Sequence, residues 1–502
     1  MVLPPQEISR IAYKGFLKNQ PVYLMASVAT GAASFLLLPL YTRSFSPDDF
    51  GRWTLFLLAT QVFSVVLTWG LDSAAIRKWH SESDVEAQRA SMSEVLSLAL
   101  WIATLGAGLG VGLLWLTERS WEESAFRDFI QLGPLIAATE SALGVGMGLI
   151  RAQNRAWVFG QISLARVGTQ VSASLVAAFL GRLSLPVASV AWLAGDVAGL
   201  LLVLIVLRPR LGVTGDLARK SLRYGFPMLL GGIGNFLLFG ADRYLLASYR
   251  TLQEVAVYSL AYKLSTSLEV AVIRPFAVSW AAGRFSMGSG EGGKENYVRA
   301  LALFLVPSVL VLAAVSCLRR EIISLVAPRG YEGAVFLVPI LLLAYLVLGL
   351  SYPLNVGVMF RDRPTPVATA TWMAVLVNML GNLILIPIWG ATGASVATLA
   401  GYSVLTLLLW RDSIATHPIN YPWGRLIGFT GFGCGIGFVA SHVGSGVIGV
   451  GSLIRLSVVL ASIAGLAWQL GLLRLAAGGN LVAVLAGGSS PGSGKVFPGE
   501  RP

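Results

Sequence analysis

A chain of 502 residues that is 55% hydrophobic and only 12% charged has more apolar surface than a soluble protein can bury. Its mean hydropathy of +0.72 therefore predicts that lipid is the solvent for most of the chain. The net charge of +12 fits basic cytoplasmic loops, and no soluble basic domain indicates nucleic-acid binding. The two cysteines and three histidines show no metal-ligand spacing, so we expect no metal and no cofactor beyond a coupling Na⁺ or H⁺.

Apolar runs of about 20 residues recur along the chain, and each is long enough to cross a bilayer as a helix. They predict an all-α integral membrane protein with about 14 transmembrane helices. Lys and Arg are concentrated in alternate loops, which places both termini in the cytoplasm. The predicted spans lie near 21–42, 52–76, 94–117, 129–150, 157–180, 186–207, 224–249, 255–277, 297–318, 333–354, 367–388, 391–410, 425–447 and 452–473.

A basic segment after the sixth span predicts two pseudo-symmetric six-helix lobes followed by two C-terminal helices. A short internal echo supports the symmetry. The segments 49–55 and 254–260 both run acidic, apolar, small, any residue, aromatic, hydroxyl, Leu. The predicted units are an amphipathic cytoplasmic lead-in (1–20), an N-lobe (21–207), a basic linker (208–223), a C-lobe (224–410), spans 13 and 14 (411–474) and a disordered cytoplasmic tail (475–502).

Four cationic side chains fall inside predicted spans: Arg166, Arg243, Lys263 and Arg274. A bilayer penalises charge, so such groups face a cavity, a partner or a substrate, and a guanidinium matches a phosphate fork. We therefore predict a transporter of acidic or phosphorylated lipid-linked cargo, with these four residues as substrate contacts. In the structural alternative, Asp242 pairs with Arg243 or Lys263, and Arg274 extends to the inner headgroups.

Five carboxylates either couple transport to an ion gradient or pair with these bases: Asp72, Glu140, Asp196, Asp242 and Glu269. For Asp72 we expect a salt bridge with the nearby Arg77. Lys263 and Arg274 are close to three helical turns apart and should share a face, with Glu269 pointing elsewhere. No nucleophile elbow, Walker loop or HExxH motif occurs, and no loop is long enough for a catalytic domain, so we expect no enzymatic activity.

Several local patterns occur in a fixed order along residues 38–400. They are Leu38-Pro39-Leu40-Tyr41-Thr42-Arg43 with Ser46-Pro47-Asp48-Asp49-Phe50-Gly51, then Gly70-Leu71-Asp72 with Arg77, then Asp242-Arg243-Tyr244 with Val257-Tyr258-Ser259-Leu260-Ala261-Tyr262-Lys263, and finally Asn378, Asn382, Ile386-Pro387, Gly390, Gly393-Ala394 and Ala397-Thr398. In this order the chain resembles bacterial polysaccharide flippases. These form the oligosaccharidyl-lipid and polysaccharide branch of the MOP exporter superfamily, which includes O-antigen flippases.

The resemblance implies two six-helix lobes, alternating access and a cationic central cavity. The cargo it implies is an undecaprenyl-diphosphate-linked oligosaccharide, moved from the inner to the outer leaflet of a bacterial or archaeal cytoplasmic membrane for O-antigen, capsule or exopolysaccharide synthesis. Arg166, Arg243 and Lys263 would contact diphosphate or acidic sugar. Membrane lipids and the polysaccharide polymerase machinery would be partners. The chain has no Arg or Lys between Pro21 and Tyr41, unlike the most basic lipid-II-type flippases, which argues against a peptidoglycan precursor as cargo.

Two other functions stay open at this point. An ion-coupled multidrug antiporter of the same superfamily would typically have 12 spans and an acid-lined cavity. A membrane glycosyltransferase or polymerase would need a sizeable outer catalytic loop.

Overall fold

The computed structural model describes residues 5–82, 84–117, 129–210, 212–283, 291–360, 365–443 and 449–473, and every regular element in these ranges is a helix. The all-α class is therefore confirmed. The predicted tail 475–502 lies outside the described residues. So do the side chains of residues 1–20, on which the amphipathic character of the predicted lead-in depends. The predicted division into units stays a prediction.

The chain forms 18 α-helices within the described ranges. They are α1 (Pro5–Ser44), α2 (Pro47–Thr68), α3 (Leu71–Ser81), α4 (Val85–Thr117), α5 (Gly133–Ala152), α6 (Ala156–Phe179), α7 (Leu185–Leu207), α8 (Gly215–Phe239), α9 (Ala241–Tyr249), α10 (Leu252–Leu268), α11 (Arg274–Gly283), α12 (Glu291–Val326), α13 (Ala334–Leu354), α14 (Val356–Met359), α15 (Thr365–Trp389), α16 (Ala391–Ile414), α17 (Trp423–Ala440) and α18 (Val450–Gln469). A π-helical turn, Glu269–Ile273, joins α10 to α11, and a 3-10 turn, Ser441–Val443, follows α17.

Eleven helices in the described ranges are long and apolar enough to cross a membrane, or up to twelve if the bent pair α8 and α9 is one span. The two helices of this pair meet at an angle of 45°. The predicted count of 14 is not confirmed. The remaining two predicted spans fall on α1 and on the run from α10 to α11, which the π-helical turn interrupts.

The internal echo corresponds to the same local structure in both places, a helix start with a hydroxyl cap. Ser46 Oγ accepts a hydrogen bond from the backbone N–H of Asp49 (3.1 Å) at the start of α2. Thr251 Oγ1 accepts one from the N–H of Glu254 (3.2 Å) at the start of α10. A hydroxyl three residues before an acidic residue is the signature of a helix N-terminus. The two starts also touch, because a Cβ on Gly51 would lie 2.3 Å from the carbonyl oxygen of Leu252.

Helix packing divides the bundle into two lobes. In the N-terminal lobe, α1 packs on α6, α2 and α4 pack on α5, and α7 packs on α5 and α6. In the C-terminal lobe, α13 packs on α10, α12 and α16, while α15 pairs with α16. The last two helices, α17 and α18, both lie against α12. The lobes meet where α2 contacts α10 and where α8 contacts both α2 and α15.

Candidate functional site

A cavity of about 1230 Å³ lies between the two lobes. Both lobes contribute charged side chains to its wall: Glu140, Arg166, Arg243, Lys263, Glu269 and Arg274. The structure thus brings all four predicted cationic residues to one cavity. Arg243, Lys263 and Arg274 come from the successive helices α9, α10 and α11, whereas Arg166 comes from α6 in the other lobe, so the fold brings Arg166 to the other three.

Lys263 projects into the cavity from the middle of α10. Its ammonium donates a hydrogen bond to Ser34 Oγ of α1 (2.7 Å) and lies 5.3 Å from the ring centroid of Phe35. Within the part of the chain that the structure describes, no carboxylate lies within 4.0 Å of this ammonium. A cation inside a membrane bundle with no carboxylate in direct contact is expensive, which makes Lys263 a strong candidate for binding an anion.

Arg274 also lines the cavity, and Arg274 Nε lies 3.0 Å from Glu269 Oε1. The expectation that Glu269 points away from Lys263 and Arg274 is wrong, because all three line the same cavity. The π-helical turn at Glu269–Ile273 changes the register after Glu269 and brings Arg274 beside it, which sequence spacing for a regular α-helix does not anticipate.

Arg243 is held in a dense polar cluster at the start of α9. Arg243 Nη1 donates to Asp242 Oδ1 (3.0 Å) and to the carbonyl oxygen of Phe239 (2.7 Å). The second oxygen of Asp242 accepts a hydrogen bond from the hydroxyl of Tyr258 (2.5 Å). Asp242 and Arg243 side chains are only 1% and 6% exposed. Of the two pairings that the structural alternative left open, that of Asp242 with Arg243 is present, and little of the charge of Arg243 is left for a ligand.

Tyrosines complete this cluster, and sequence reasoning missed them. The Arg243 guanidinium lies 3.9 Å from the ring centroid of Tyr262, a cation–π distance. The hydroxyl groups of Tyr262 and Tyr402 are 3.0 Å apart. The available signal was the spacing of Tyr258 and Tyr262, four residues apart on one face of α10.

Arg166 lies between two carboxylates of the N-terminal lobe. Arg166 Nε is 2.5 Å from Asp196 Oδ1, and Arg166 Nη2 is 3.5 Å from Glu140 Oε1. Three neighbouring helices, α5, α6 and α7, supply these residues. Glu140 and Arg166 line the cavity, whereas Asp196 is buried behind them. The alternative in which carboxylates pair with Arg166 is therefore confirmed. Because Arg166 also lines the cavity, a role in substrate binding stays open.

Asp72 is far from this arrangement. It lies in the first turn of α3, with its Cβ against Gly148 of α5. The expected Asp72–Arg77 salt bridge is wrong: no such pair occurs among the described residues, and Arg77 instead stacks on the ring of Tyr224 (4.5 Å). Asp72 and Arg77 both lie in α3, five positions apart, and this spacing places their side chains about 140° apart around the axis of a regular helix.

The cavity is closed at one end, where the turns α1–α2 and α9–α10 lie, and we call this the outer end. There Thr42 Oγ1 donates to the carbonyl oxygen of Val326 (2.6 Å), which ties α1 to α12. The hydroxyl of Tyr244 donates to the carbonyl oxygen of Leu55 (2.8 Å), which ties α9 to α2. Trp53 at this end is 2% exposed, whereas Tyr352 at the opposite end of the cavity is 37% exposed. The cavity wall is thus more exposed at the opposite end, which we call the inner end.

These features, a membrane-spanning helical bundle with two lobes around a charged cavity, define the class as a membrane transporter fold. The family described as "Polysaccharide biosynthesis protein" matches residues 16–280. The chain belongs to this family, and the resemblance predicted from sequence is confirmed. A comparison with curated proteins found no match.

Solved structures show the same fold. The chain is similar to the lipid II flippase MurJ in an inward closed conformation, with a TM-score of 0.67 and 13% identity over 91% of this chain and 99% of that chain. It is also similar to an inward-facing multidrug resistance MATE family transporter of the MOP superfamily (TM-score 0.60, 15% identity, 79% of this chain and 94% of that one). A third is a MOP superfamily transporter from Pyrococcus furiosus (TM-score 0.56, 13% identity, 80% and 95%). At these identities the likeness establishes the fold.

Proposed function

We propose that this protein is a flippase for an undecaprenyl-diphosphate-linked oligosaccharide in cell-surface polysaccharide synthesis. The observation that carries the proposal is Lys263, whose ammonium lines the cavity with no carboxylate partner among the described residues. An anion such as a diphosphate would supply the missing counter-charge. The family match to polysaccharide biosynthesis proteins supports a glycan-bearing cargo.

The other cavity cations have graded roles in this proposal. Arg274 is 44% exposed at its side chain and can turn from Glu269 to a phosphate of the cargo. Arg166, at 29%, is also accessible but already serves two carboxylates. Arg243 is bonded to Asp242 and contributes mainly to the local potential. Lys263 and Arg274 are therefore the principal diphosphate ligands, with Arg166 and Arg243 in support.

The closed outer end fits a protein ready to accept cargo from the inner end. With the inner end facing the cytoplasm, as the basic loops predict, the cargo enters from the inner leaflet of the cytoplasmic membrane and leaves toward the outer one. Alternating access then requires the outer-end contacts of Thr42 and Tyr244 to break. The protein transports without catalysis, its partners are membrane lipids and polysaccharide polymerase machinery, and any coupling ion is Na⁺ or H⁺.

The test is reconstitution of the purified protein in vesicles with a fluorescent undecaprenyl-diphosphate oligosaccharide whose leaflet position is followed over time. The wild type should move the probe across, and Lys263→Ala should not, although it folds. Folded Arg243→Ala protein should keep more flipping activity than Lys263→Ala, because Arg243 is already paired with Asp242. Failure of the wild type with several glycans would contradict the proposal.

A second function is favoured by one observation, the carboxylates Glu140 and Glu269 on the cavity wall. An ion-coupled multidrug antiporter needs acidic groups for cationic drugs, and MATE transporters share this fold. The span count no longer separates the two functions, because eleven or up to twelve helices of the described ranges can span a membrane. Proton-driven efflux of a cationic dye by the same vesicles would favour the antiporter.

A further inference from the structure

The Glu140–Arg166–Asp196 group, which we call the triad, holds two carboxylates on one guanidinium. Asp196 lies 2.5 Å from Arg166 Nε, and Glu140 lies 3.5 Å from Arg166 Nη2. With all three ionised the triad carries one excess negative charge inside the bundle. An uncompensated buried charge is strongly unfavourable, so this charge calls for a neutralising partner.

The free-energy cost of this excess negative charge is greater at Asp196 than at Glu140. The Asp196 side chain is 1% exposed, whereas that of Glu140 is 30% exposed and faces the cavity. Asp196 Oδ2 is buried and has no hydrogen-bond partner among the described residues. Leaving a carboxylate oxygen unpaired costs more than leaving a neutral carboxyl oxygen unpaired.

Asp242 in the other lobe is a useful internal contrast, because it is as deeply buried as Asp196. Its Oδ1 accepts from the backbone N–H of Arg243 (2.8 Å) and from the guanidinium of that residue (3.0 Å), and its Oδ2 accepts from Tyr258. One carboxylate there meets one cation and every oxygen is bonded. The triad differs in both respects, since it has two carboxylates for one cation and one carboxylate oxygen without a hydrogen bond among the described residues. The excess negative charge is therefore specific to the triad.

The charges around the cavity are balanced until one proton is added. Four cations meet four carboxylates, counting the two buried partners behind the wall. The groups that bear on Asp196 are Arg166 from α6, Glu140 from α5 and the uncharged Trp192 from its own helix, α7. Lys263, Glu269 and Arg274 line the same cavity from the other lobe. A single bound proton therefore changes the whole set from neutral to a net charge of one positive.

We propose that the triad is a proton-binding site, with the proton on Asp196 Oδ2, and that it binds its proton together with the anionic cargo. The identity of that anion rests on the proposed function, whereas the proton site does not. Protonation neutralises the triad, leaves Glu140 to pair with Arg166, and gives the cavity a positive potential for phosphate. Because linkage is reciprocal, cargo binding then promotes proton binding by the same factor.

The sign of this coupling can be worked out. Cargo affinity is highest where the triad is protonated and falls as pH rises through its titration, by at most about tenfold per pH unit for one proton. Asp196→Asn is a neutral isostere of the protonated residue. It should keep high affinity at alkaline pH and lose the pH dependence, and Glu140→Gln should reduce that dependence as well.

The first experiment tests the proton site without cargo. Infrared difference spectra of the purified full-length protein are recorded between about pH 5 and 9, where exposed carboxyl groups are already ionised. We expect a carbonyl band of a protonated carboxyl group that declines as pH rises and is missing in Asp196→Asn. Asp216→Asn, a matched change in an ion pair whose carboxylate is 75% exposed, should keep the band. A wild-type spectrum without the band, or a band that Asp196→Asn retains, would overturn the proposal.

The second experiment measures binding of undecaprenyl diphosphate by titration calorimetry in buffers of different ionisation enthalpy. The wild type should take up a proton on binding where the triad is ionised, and Asp196→Asn should take up none. Equal proton uptake by both proteins would refute the coupling. Absence of binding at any pH would refute the proposed cargo, while the infrared result would still decide the proton site.

Discussion

The buried pair of Asp242 and Arg243 makes the sharpest prediction about stability. Asp242→Asn removes the counter-charge of a guanidinium that is 6% exposed, and leaves that cation buried. Breaking a buried pair in this way costs about 3–5 kcal/mol. Arg243→Met should cost a similar amount, because it leaves the buried Asp242 carboxylate without a cation. Its side-chain donors are then the hydroxyl of Tyr258 (2.5 Å) and, at a longer distance, that of Thr398 (3.5 Å).

The double variant Asp242→Asn, Arg243→Met should be less destabilised than the sum of the two single variants, because neither charge is left alone. A coupling of about 2–3 kcal/mol is expected. Unfolding of the purified protein by denaturant in lipid–detergent micelles, followed by tryptophan fluorescence, measures all three. Asp216→Asn with Lys220→Met is the control, an exposed pair of the i, i+4 type worth about 0.5 kcal/mol or less.

Additive effects of the two substitutions would refute the account of this pair. So would a single Asp242→Asn variant as stable as the wild type, since the guanidinium would then have found its compensation elsewhere.

Three further predictions concern the outer end and one inner loop. Gly51→Val should hold the outer end open, because a Cβ there lies 2.3 Å from the carbonyl oxygen of Leu252, and spin labels on the outer ends of α2 and α10 should move apart. Thr42→Val should weaken the closed state by about 1–3 kcal/mol, since the carbonyl of Val326 loses its donor, and the same label distances report it. Burial lowers the pKa of His417, so the fold favours its neutral form and stability declines on acidification below about pH 6.5. His417→Gln should make the unfolding temperature less sensitive to acid, and an unchanged acid response would refute that role.

The sequence predicted the helices because length and hydropathy alone decide whether a segment can cross lipid. It also offered the pairing of Asp242 with Arg243, neighbours in the chain, as one of two alternatives, and the structure contains that pair. The contacts it missed join distant positions: Lys263 bonds Ser34, and Tyr262 meets Tyr402. Such partners depend on how helices pack and are not encoded in local spacing.

Two expectations about helix faces failed. Glu269 pairs with Arg274 across a π-helical turn, which changes the register after Glu269 and does not follow from hydropathy. Asp72 and Arg77 are five residues apart in the same helix, α3, which places them about 140° apart around the axis of a regular helix. The second failure therefore follows from the helical period once the bounds of α3 are known.

The most direct measurement of the central claim is the affinity of undecaprenyl diphosphate for the wild type, Lys263→Met and Lys220→Met. Lys263 is the cavity cation without a carboxylate partner in the described part of the chain, whereas Lys220 is an exposed lysine in an ion pair. A charge-assisted hydrogen bond is worth about 1.5–3 kcal/mol, so Lys263→Met should weaken binding by about tenfold or more. Lys220→Met should bind as the wild type does. Equal affinity for all three proteins would contradict the claim that this cavity binds the diphosphate.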